Sequence, residues 1–251
     1  MIKTKTAVVC IAKNEDRYIQ EWIDYNLKLG FDDIYIYMND WRCKLDITNP
    51  AIKFIRFDGK CKQIEAYKNF IVNYAKKYIW AAFIDVDEFI CLKKHSNINE
   101  FLKDYESFNG VALNWAMFVS KTDSDEEKKG AVKRFFYREQ TQNKHVKIIV
   151  NLKRGRELNM IVSMCNPHYI NGIEIVDVKK NVILNTPFNK NNTIDIAQIN
   201  HYHYKTFDEY KLQIARGRAS SHDNMDINNW NNQSPDIVKD MDAYNFMYSY
   251  T

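Results

Sequence analysis

The 251-residue chain contains little glycine, proline or cysteine, with seven, four and five residues respectively. No stretch is rich in proline, glycine or serine, so the sequence gives no sign of an interdomain linker. The cysteines are odd in number and form no Cys-x-x-Cys pair. This argues against a disulfide framework or a zinc knuckle, and it favours a reducing compartment.

Long apolar runs are also missing. No run approaches the roughly 18 residues that a membrane-spanning helix needs, and the N-terminus has no hydrophobic signal-peptide segment. We therefore expect a cytoplasmic protein that touches a membrane, if it does so, only at its inner face. The net charge is just +4, with both signs interspersed. This charge is too mild to predict nucleic-acid binding, but it suits an anionic ligand or an anionic membrane surface.

The first hundred residues alternate between β-rich apolar runs and amphipathic helical patterns. The order of these elements is β-α-β-β-α-β, which predicts an α/β fold with a mainly parallel sheet flanked by helices. The predicted elements are strand 6–12, helix 15–29, strand 33–38, strand 52–57, helix 62–78 and strand 78–84.

After residue 100 the pattern is less regular. The charged segment 121–130 is typical of a solvated hairpin tip, and a helix is expected over 206–219. Further strands are predicted at 110–118, 131–137, 145–152 and 172–178.

Polar clusters follow several of the predicted strands. Lys13-Asn14-Glu15, Asn39-Asp40 and Asp85-Val86-Asp87 each come directly after an apolar run. In open α/β sheets, ligands collect at the carboxyl ends of the strands. The N-terminal half therefore resembles a nucleotide-binding half.

The stretch FIDVDEFI, residues 83–90, carries the most specific chemistry. Asp85 and Asp87 are two apart, so on a strand both face one side, with Cα atoms roughly 6–7 Å apart. Two such carboxylates repel unless a cation lies between them, and hard oxygen ligands suit Mn²⁺ or Mg²⁺ shared with phosphate. Two alternatives stay open: a solvated strand end with Asp87 or Glu88 capping a helix, and a phosphatase-type site with Asp85 as the nucleophile.

Several segments, spread over about residues 5–219, resemble glycosyltransferases of the GT-A fold. The closest similarity is to glycosyltransferase family 92 and its bacterial relatives, which are family 2-like and carry a DxDEF motif. The chain departs from the family pattern at Thr206, where Ser is expected, at Asp208, where Glu is expected, and at Lys133, where Glu is expected. The similar segments are KNEDRYIQEWIDYNLKLGFDDIYIYMND, Gln63 within KQIEAYKNF, FIDVDEFI and INHYHYKTFDEYKLQIARGRA.

The resemblance implies a metal-dependent, inverting transfer of a hexose from a UDP-sugar to a glycan or lipid-linked glycan acceptor. Galactose is the donor it suggests, and a surface polysaccharide or lipooligosaccharide the product. It also implies a GT-A domain over 1–205, with a nucleotide-binding half (1–100) and an acceptor-side half (101–205), and a C-terminal helical extension over 206–251. The alternative is a non-catalytic carbohydrate- or partner-binding module, which the 16 tyrosines would fit.

The resemblance also suggests site residues. Asp87 would ligate Mn²⁺ or Mg²⁺ together with Asp85 and His201, with His203 and His168 as the other histidine candidates. Trp115 would offer a stacking face to an acceptor sugar. The expected nucleotide-sugar contacts are Ala12, Lys13, Asn14, Glu15, Asn39, Gln63, Asp85, Lys147, Lys205 and Arg216, with Arg218 as a further basic candidate. Inversion requires a carboxylate base, for which the sequence leaves four candidates: Glu174, Asp177, Asp208 and Glu209.

Overall fold

The computed structural model describes residues 5–45, 48–120, 129–159, 166–217 and 226–249. Its helices are α1 (Ile19–Leu29), α2 (Gln63–Asn73), α3 (Ile98–Lys103), α4 (Leu152–Glu157), α5 (Phe207–Arg216) and α6 (Asp242–Tyr248). Its strands are β1 (Thr6–Ala12), β2 (Asp33–Met38), β3 (Ile52–Arg56), β4 (Trp80–Phe83), β5 (Glu88–Leu92), β6 (Gly110–Val119), β7 (Tyr137–Glu139), β8 (Val146–Asn151), β9 (Ile175–Asp177), β10 (Val182–Ile183), β11 (Ala197–His201) and β12 (Ile237–Lys239).

The central sheet has the strand order β10-β9-β6-β8-β4-β1-β2-β3. Strands β3, β2, β1 and β4 run parallel, whereas β8 is antiparallel to both β4 and β6. The α/β prediction, with a mixed sheet flanked by helices, is confirmed. The parallel part places the carboxyl ends of β1, β2 and β4 at one edge, which is where ligands bind in such sheets.

Both faces of this sheet are covered at its centre, so β1 does not alternate between buried and exposed residues. Every residue of β1 is buried. On one face Val8 and Cys10 pack in a cluster with Trp22 of α1. On the other face Ala7 and Val9 belong to a second cluster, which includes aromatic residues of α2. The rigid double core holds the strand ends in fixed positions.

The long strand β6 joins the central sheet to a second group of strands. Its first half pairs with β8, and its second half pairs with β11, which runs parallel to it. On its other side, β11 pairs antiparallel with β5. This arrangement brings the segment after β4 next to the end of β11. Sequence patterns did not predict β5 or β11, because each is short and follows polar residues.

The prediction of a strand over 131–137 is wrong. A turn occupies the first part of this segment, and the strand β7 begins only at Tyr137. The buried carboxylate of Glu21, on α1, causes the turn by accepting hydrogen bonds from the backbone N–H groups of Ala131, Val132 and Lys133. Gly130 permits this approach, because a Cβ there would lie 2.6 Å from Glu21. The predicted hairpin tip falls largely on 121–128, outside the described residues.

The C-terminal part returns to the body of the protein. It contains α5 and α6 and also β12, which pairs antiparallel with β7. The Tyr248 hydroxyl donates a 2.6 Å hydrogen bond to Glu21. Residue 205, where we predict the domain division, falls between β11 and α5, and that division stays a prediction. Within the described ranges, no helix combines the length and apolar character needed to cross a bilayer.

We expect Glu21→Ala to lower the free energy of unfolding by about 2–4 kcal/mol, since it removes a buried charged acceptor and leaves several N–H groups without a partner. Urea unfolding followed by far-UV circular dichroism measures the change. Glu65→Ala is the matched control, because that side chain is 58% exposed and its described ion pair is with Lys62, the N-cap of the same helix. The control should change stability by no more than about 0.5 kcal/mol. Equal losses for the two variants would contradict the anchoring role of Glu21.

Candidate active site at the carboxyl ends of the parallel strands

A cavity of about 690 Å³ opens at the carboxyl ends of the parallel strands. Most of the binding residues predicted from the sequence line it, although they come from distant parts of the chain. These residues are Ala12, Lys13, Glu15, Asn39, Gln63, Asp85, Asp87, Lys147, His168, His201, His203 and Arg216. The remaining two, Asn14 and Lys205, line a neighbouring pocket of about 380 Å³. Arg218 lies outside the described residues.

Asp87, His201 and His203 form a cluster suited to a metal ion. Their potential ligand atoms all lie within 4.8 Å of one another. The register of β11 on β5 creates the cluster by pairing His201 with Glu88, the neighbour of Asp87. The Tyr202 backbone N–H donates a 2.8 Å hydrogen bond to the Asp87 carbonyl and fixes the turn.

The protonation states in this cluster suit metal binding. Burial alone would raise the pKa of the Asp87 carboxyl, but the positive charge of nearby Lys205 outweighs it and holds the pKa well below its usual value. Lys205 Nζ lies 3.5 Å from Asp87 Oδ2. Burial keeps the pKa of the His201 imidazole well below its usual value, so the ring is neutral at pH 7. Its buried Nδ1 has no hydrogen-bond partner among the described residues. A neutral imidazole whose Nε2 lies 3.8 Å from the ionised Asp87 carboxylate fits a divalent cation.

Asp85 is held differently from Asp87. Its carboxylate accepts hydrogen bonds from Gln63 Nε2 at 3.0 Å and from Lys147 Nζ at 2.8 Å. The structure thus places Asp85 against a lysine, and not within the Asp87–His201–His203 cluster. Its assignment as a metal ligand stays a prediction, and so does its contact with the nucleotide-sugar.

Glu88, which our sequence reasoning did not assign to the site, contacts both Asp85 and Lys147. Glu88 is fully buried, accepts the backbone N–H of Asp85 at 2.9 Å and lies 3.2 Å from Lys147 Nζ. Burial raises the pKa of Glu88 to about 8. Burial would lower the pKa of Lys147, but Asp85 and Glu88 raise it above the usual lysine value. Lys147 therefore stays charged beside Asp85, while burial favours the protonated form of Glu88.

Another part of the cavity wall is formed by the residues that follow β1 and β2. Glu15 forms an ion pair with Arg216, which also donates a 3.1 Å hydrogen bond to the Lys13 carbonyl. Lys13 Nζ lies 3.6 Å from Asp40. The Asn39 side-chain amide donates to two backbone carbonyls, of which that of Gly59 is at 2.7 Å. The polar groups here are thus held in place by one another and by the backbone.

One wall of the cavity is aromatic. The Trp115 ring centroid lies 4.4 Å from that of His201 and 4.9 Å from that of His145, which is stacked on it. His168, the further histidine candidate, makes an edge contact with Trp115 at 5.9 Å. Sequence reasoning missed His145. Its only signal is that it lies two residues before Lys147, on the same side of one extended segment.

None of the four candidate bases is among the described residues that line the cavity. Glu209 is the acidic member of an N-terminal capping box on α5, and both its oxygens accept from Arg134, at 2.7 and 3.1 Å. Asp177 is held by the side-chain amides of Asn181 and Asn191. Asp208 is exposed and pairs with a lysine one helical turn away. Glu174 is exposed, with only its backbone carbonyl in a described hydrogen bond.

Comparison with known proteins gives one family. Residues 59–241 match the model of glycosyltransferase family 92. No curated protein sequence matches the chain.

Similar solved structures were also found. HddC from Yersinia pseudotuberculosis is 13% identical over 59% of this chain and 77% of that one, with a TM-score of 0.33. Rv0371C from Mycobacterium tuberculosis H37Rv, in complex with manganese, is 9% identical over 45% and 66%, with a TM-score of 0.32. The 2-C-methyl-D-erythritol 4-phosphate cytidylyltransferase (IspD) of Francisella tularensis is 11% identical over 66% and 84%, with a TM-score of 0.36. At these scores the likenesses carry no argument about function.

The Glu209–Arg134 pair predicts a pH dependence of stability. Burial raises the pKa of Glu209, but hydrogen bonds from Arg134, Tyr18 and Thr206 outweigh it and lower the pKa to about 2. Because the folded-state pKa is depressed, the stabilisation is complete above pH ~4.5 and is lost as the pH falls towards 2. We expect Glu209→Gln to destabilise the protein by about 2–3 kcal/mol at pH 6 and by much less at pH 2.5.

Urea unfolding at the two pH values measures this difference. Asp208→Asn, which changes the exposed neighbouring carboxylate, should leave the pH dependence unchanged. If Glu209→Gln had the same pH dependence of stability as the wild type, the Glu209–Arg134 pair would have no such role.

Proposed function

The chain belongs to glycosyltransferase family 92, and we propose that it is a metal-dependent, inverting enzyme that moves a hexose from a UDP-sugar to a glycan acceptor. The observation that carries the proposal is the cluster of Asp87, His201 and His203, with ligand atoms within 4.8 Å of one another, in the wall of the cavity. Such a cluster is suited to a divalent cation. The family resemblance implies that this cation binds the diphosphate of the sugar nucleotide.

The chemistry of the donor set narrows the choice of cation. A carboxylate oxygen suits Mg²⁺ and Mn²⁺, whereas imidazole nitrogens favour transition metals. A set with one carboxylate and two imidazoles therefore favours Mn²⁺ over Mg²⁺. When bound, the cation supplies Lewis acidity to the diphosphate leaving group.

We propose that the protein's own cations support the same leaving group. Lys147 is fully charged in the wall of the cavity, and Lys205 approaches Asp87 from the neighbouring pocket. Arg216 lines both spaces. Fixed positive groups stabilise the charge that develops as the bond to the sugar breaks. We propose that the base and ribose bind at the Lys13, Glu15 and Gln63 end, where Asp85 contacts the ribose.

We propose that the acceptor enters along the aromatic wall, where Trp115 and His145 line the cavity. Galactose is the first donor to test, followed by glucose and N-acetylglucosamine. The acceptor is a glycan of a surface polysaccharide or lipooligosaccharide, and an acceptor built on a lipid implies a peripheral contact with a membrane. We assign no base among these four carboxylates. Asp177 and Glu209 are engaged in hydrogen bonds that stabilise the fold, whereas Glu174 and Asp208 are exposed to solvent.

The phosphatase-type alternative requires Asp85 as a free nucleophile. Both Asp85 oxygens are engaged by Gln63 and Lys147, and the family is one of glycosyltransferases, so this alternative has no support. The non-catalytic binding module remains as a defined outcome of the experiment below.

We expect Asp87→Asn to reduce Mn²⁺-dependent turnover of UDP-sugar at least about 100-fold, because it removes the only carboxylate of the metal cluster. The amide keeps the shape of the side chain but removes the charge that pairs with Lys205, so the variant should also unfold at a lower temperature, and turnover is measured where circular dichroism shows it folded. Release of UDP from a panel of UDP-hexoses, with and without EDTA, measures the change. Asp208→Asn is the matched control and should keep full activity.

Two results would contradict the proposal in different ways. Full activity of Asp87→Asn would remove Asp87 from the metal site. Binding of glycans by the wild type, with neither UDP-sugar turnover nor UDP binding by calorimetry, would instead identify the non-catalytic module.

The two further histidines predict different metal affinities. We expect His203→Ala to weaken Mn²⁺ binding on the order of tenfold or more, because it removes a ligand of the cluster. His168→Ala should leave Mn²⁺ affinity unchanged, since His168 Nδ1 lies 2.7 Å from the Val146 carbonyl and the residue is outside the cluster. Titration of free Mn²⁺ by electron paramagnetic resonance measures both. The reverse order of effects would assign the ligand role to His168.

A further inference from the structure

Exposed large apolar side chains are unevenly distributed over the described residues. Three of them fall within the segment VILNTPFNK, residues 182–190: Val182 is 61% exposed, Leu184 46% and Phe188 45%. The others lie on separate elements elsewhere, for example Val72 on α2. Single exposed apolar residues are ordinary on a protein surface, whereas a group of them indicates an interaction site.

The segment is held in place by the sheet. Its first residues form β10, which ends the central sheet and pairs only with β9 along the described strands. Its later part is tied to the chain before β8, because the Pro187 carbonyl accepts the Val146 N–H at 3.0 Å and the Asn189 N–H donates to the Lys144 carbonyl at 2.7 Å. These contacts hold Phe188 beside His145, so the exposed apolar side chains of the segment lie on backbone with a defined position.

Lysines surround these apolar side chains. Lys144 and Lys190 are exposed and flank Phe188, and exposed Lys179 and Lys180 precede β10. Exposed acids nearby are fewer: Asp195, which pairs with Lys179, and Glu174. Apolar side chains with surrounding cations complement a surface that is anionic outside and apolar beneath, which describes an anionic lipid bilayer.

We propose that Val182, Leu184 and Phe188, together with Lys144 and Lys190, dock the protein on an anionic membrane. We call these five residues the edge patch. Docking would insert the apolar side chains at the level of the headgroups, while the lysines contact lipid phosphates.

The edge patch adjoins the candidate active site. The Phe188 ring centroid lies 4.7 Å from that of His145, which is stacked on Trp115, and both of these residues line the cavity. A lipid-linked acceptor could therefore stay anchored in the bilayer while its glycan reaches the aromatic wall. This consequence rests on the proposed function, whereas membrane docking itself does not.

Co-sedimentation tests the proposal, with vesicles of phosphatidylcholine alone or mixed equally with phosphatidylglycerol. We expect the wild type to bind the anionic vesicles and to bind less as salt is raised. The variant Val182→Ser/Leu184→Ser/Phe188→Ser should bind on the order of tenfold more weakly. The variant Lys144→Gln/Lys190→Gln, which changes only surface lysines, should bind at least about fivefold more weakly.

The matched control is Val72→Ser/Leu158→Ser, which changes exposed apolar side chains on α2 and after α4 and should bind like the wild type. The proposal is overturned if the wild type does not bind anionic vesicles, or if both edge-patch variants bind them as the wild type does. A wild-type dimer that the triple variant converts to monomer, without vesicle binding, would assign the patch to a second copy of the chain. The co-sedimentation assay contains no UDP-sugar, so it measures docking independently of catalysis. A protein that docks on vesicles but has no transferase activity would therefore refute only the proposed function.

Discussion

The candidate site depends on the pairing of β11 with β5. That pairing sets His201 opposite Glu88, and the turn that carries Asp85 and Asp87 then lies against the end of β11. A shift of one residue would turn the side chains of β11 to the opposite face and separate His201 from Asp87. The register is fixed because Ile199 and Ala197 must point into the apolar core. Core packing therefore determines where the side chains of the candidate metal cluster lie.

A second constraint is that charges in the cavity wall are balanced. Asp85 is matched by Lys147, Asp87 by Lys205, and Glu15 by Arg216. Buried carboxylates without such partners would be strongly destabilising. A divalent cation that arrives with a diphosphate adds little net charge, so a wall that is balanced without ligand stays close to balance with it. Glu88 fits the same pattern, because its protonated form adds no further charge beneath Lys147.

The carboxylates that seemed catalytic in the sequence show how hydrogen-bond requirements compete with chemistry. Glu209 follows Thr206 by three residues and completes a capping box, and Arg134 occupies both its oxygens. Asp177 is held by amide groups and organises the turn after β9. Acidic residues near helix starts and turns are favoured there because they satisfy backbone N–H groups. Their presence beside a motif is therefore weak evidence of catalysis.

The sequence by itself determined the α/β class and the strand ends at which the cavity forms, because apolar periodicity and the polar residues that interrupt it are local signals. It also singled out Asp87 and His201, through the resemblance of the segments around them to glycosyltransferase family 92. Only the tertiary structure decided that His203 joins them while Asp85 pairs with Lys147, and that Glu88 lies beneath that pair. It also turned residues 131–134 away from the predicted strand, through a carboxylate on α1. These outcomes depend on contacts between residues far apart in the chain, and no local pattern encodes such contacts.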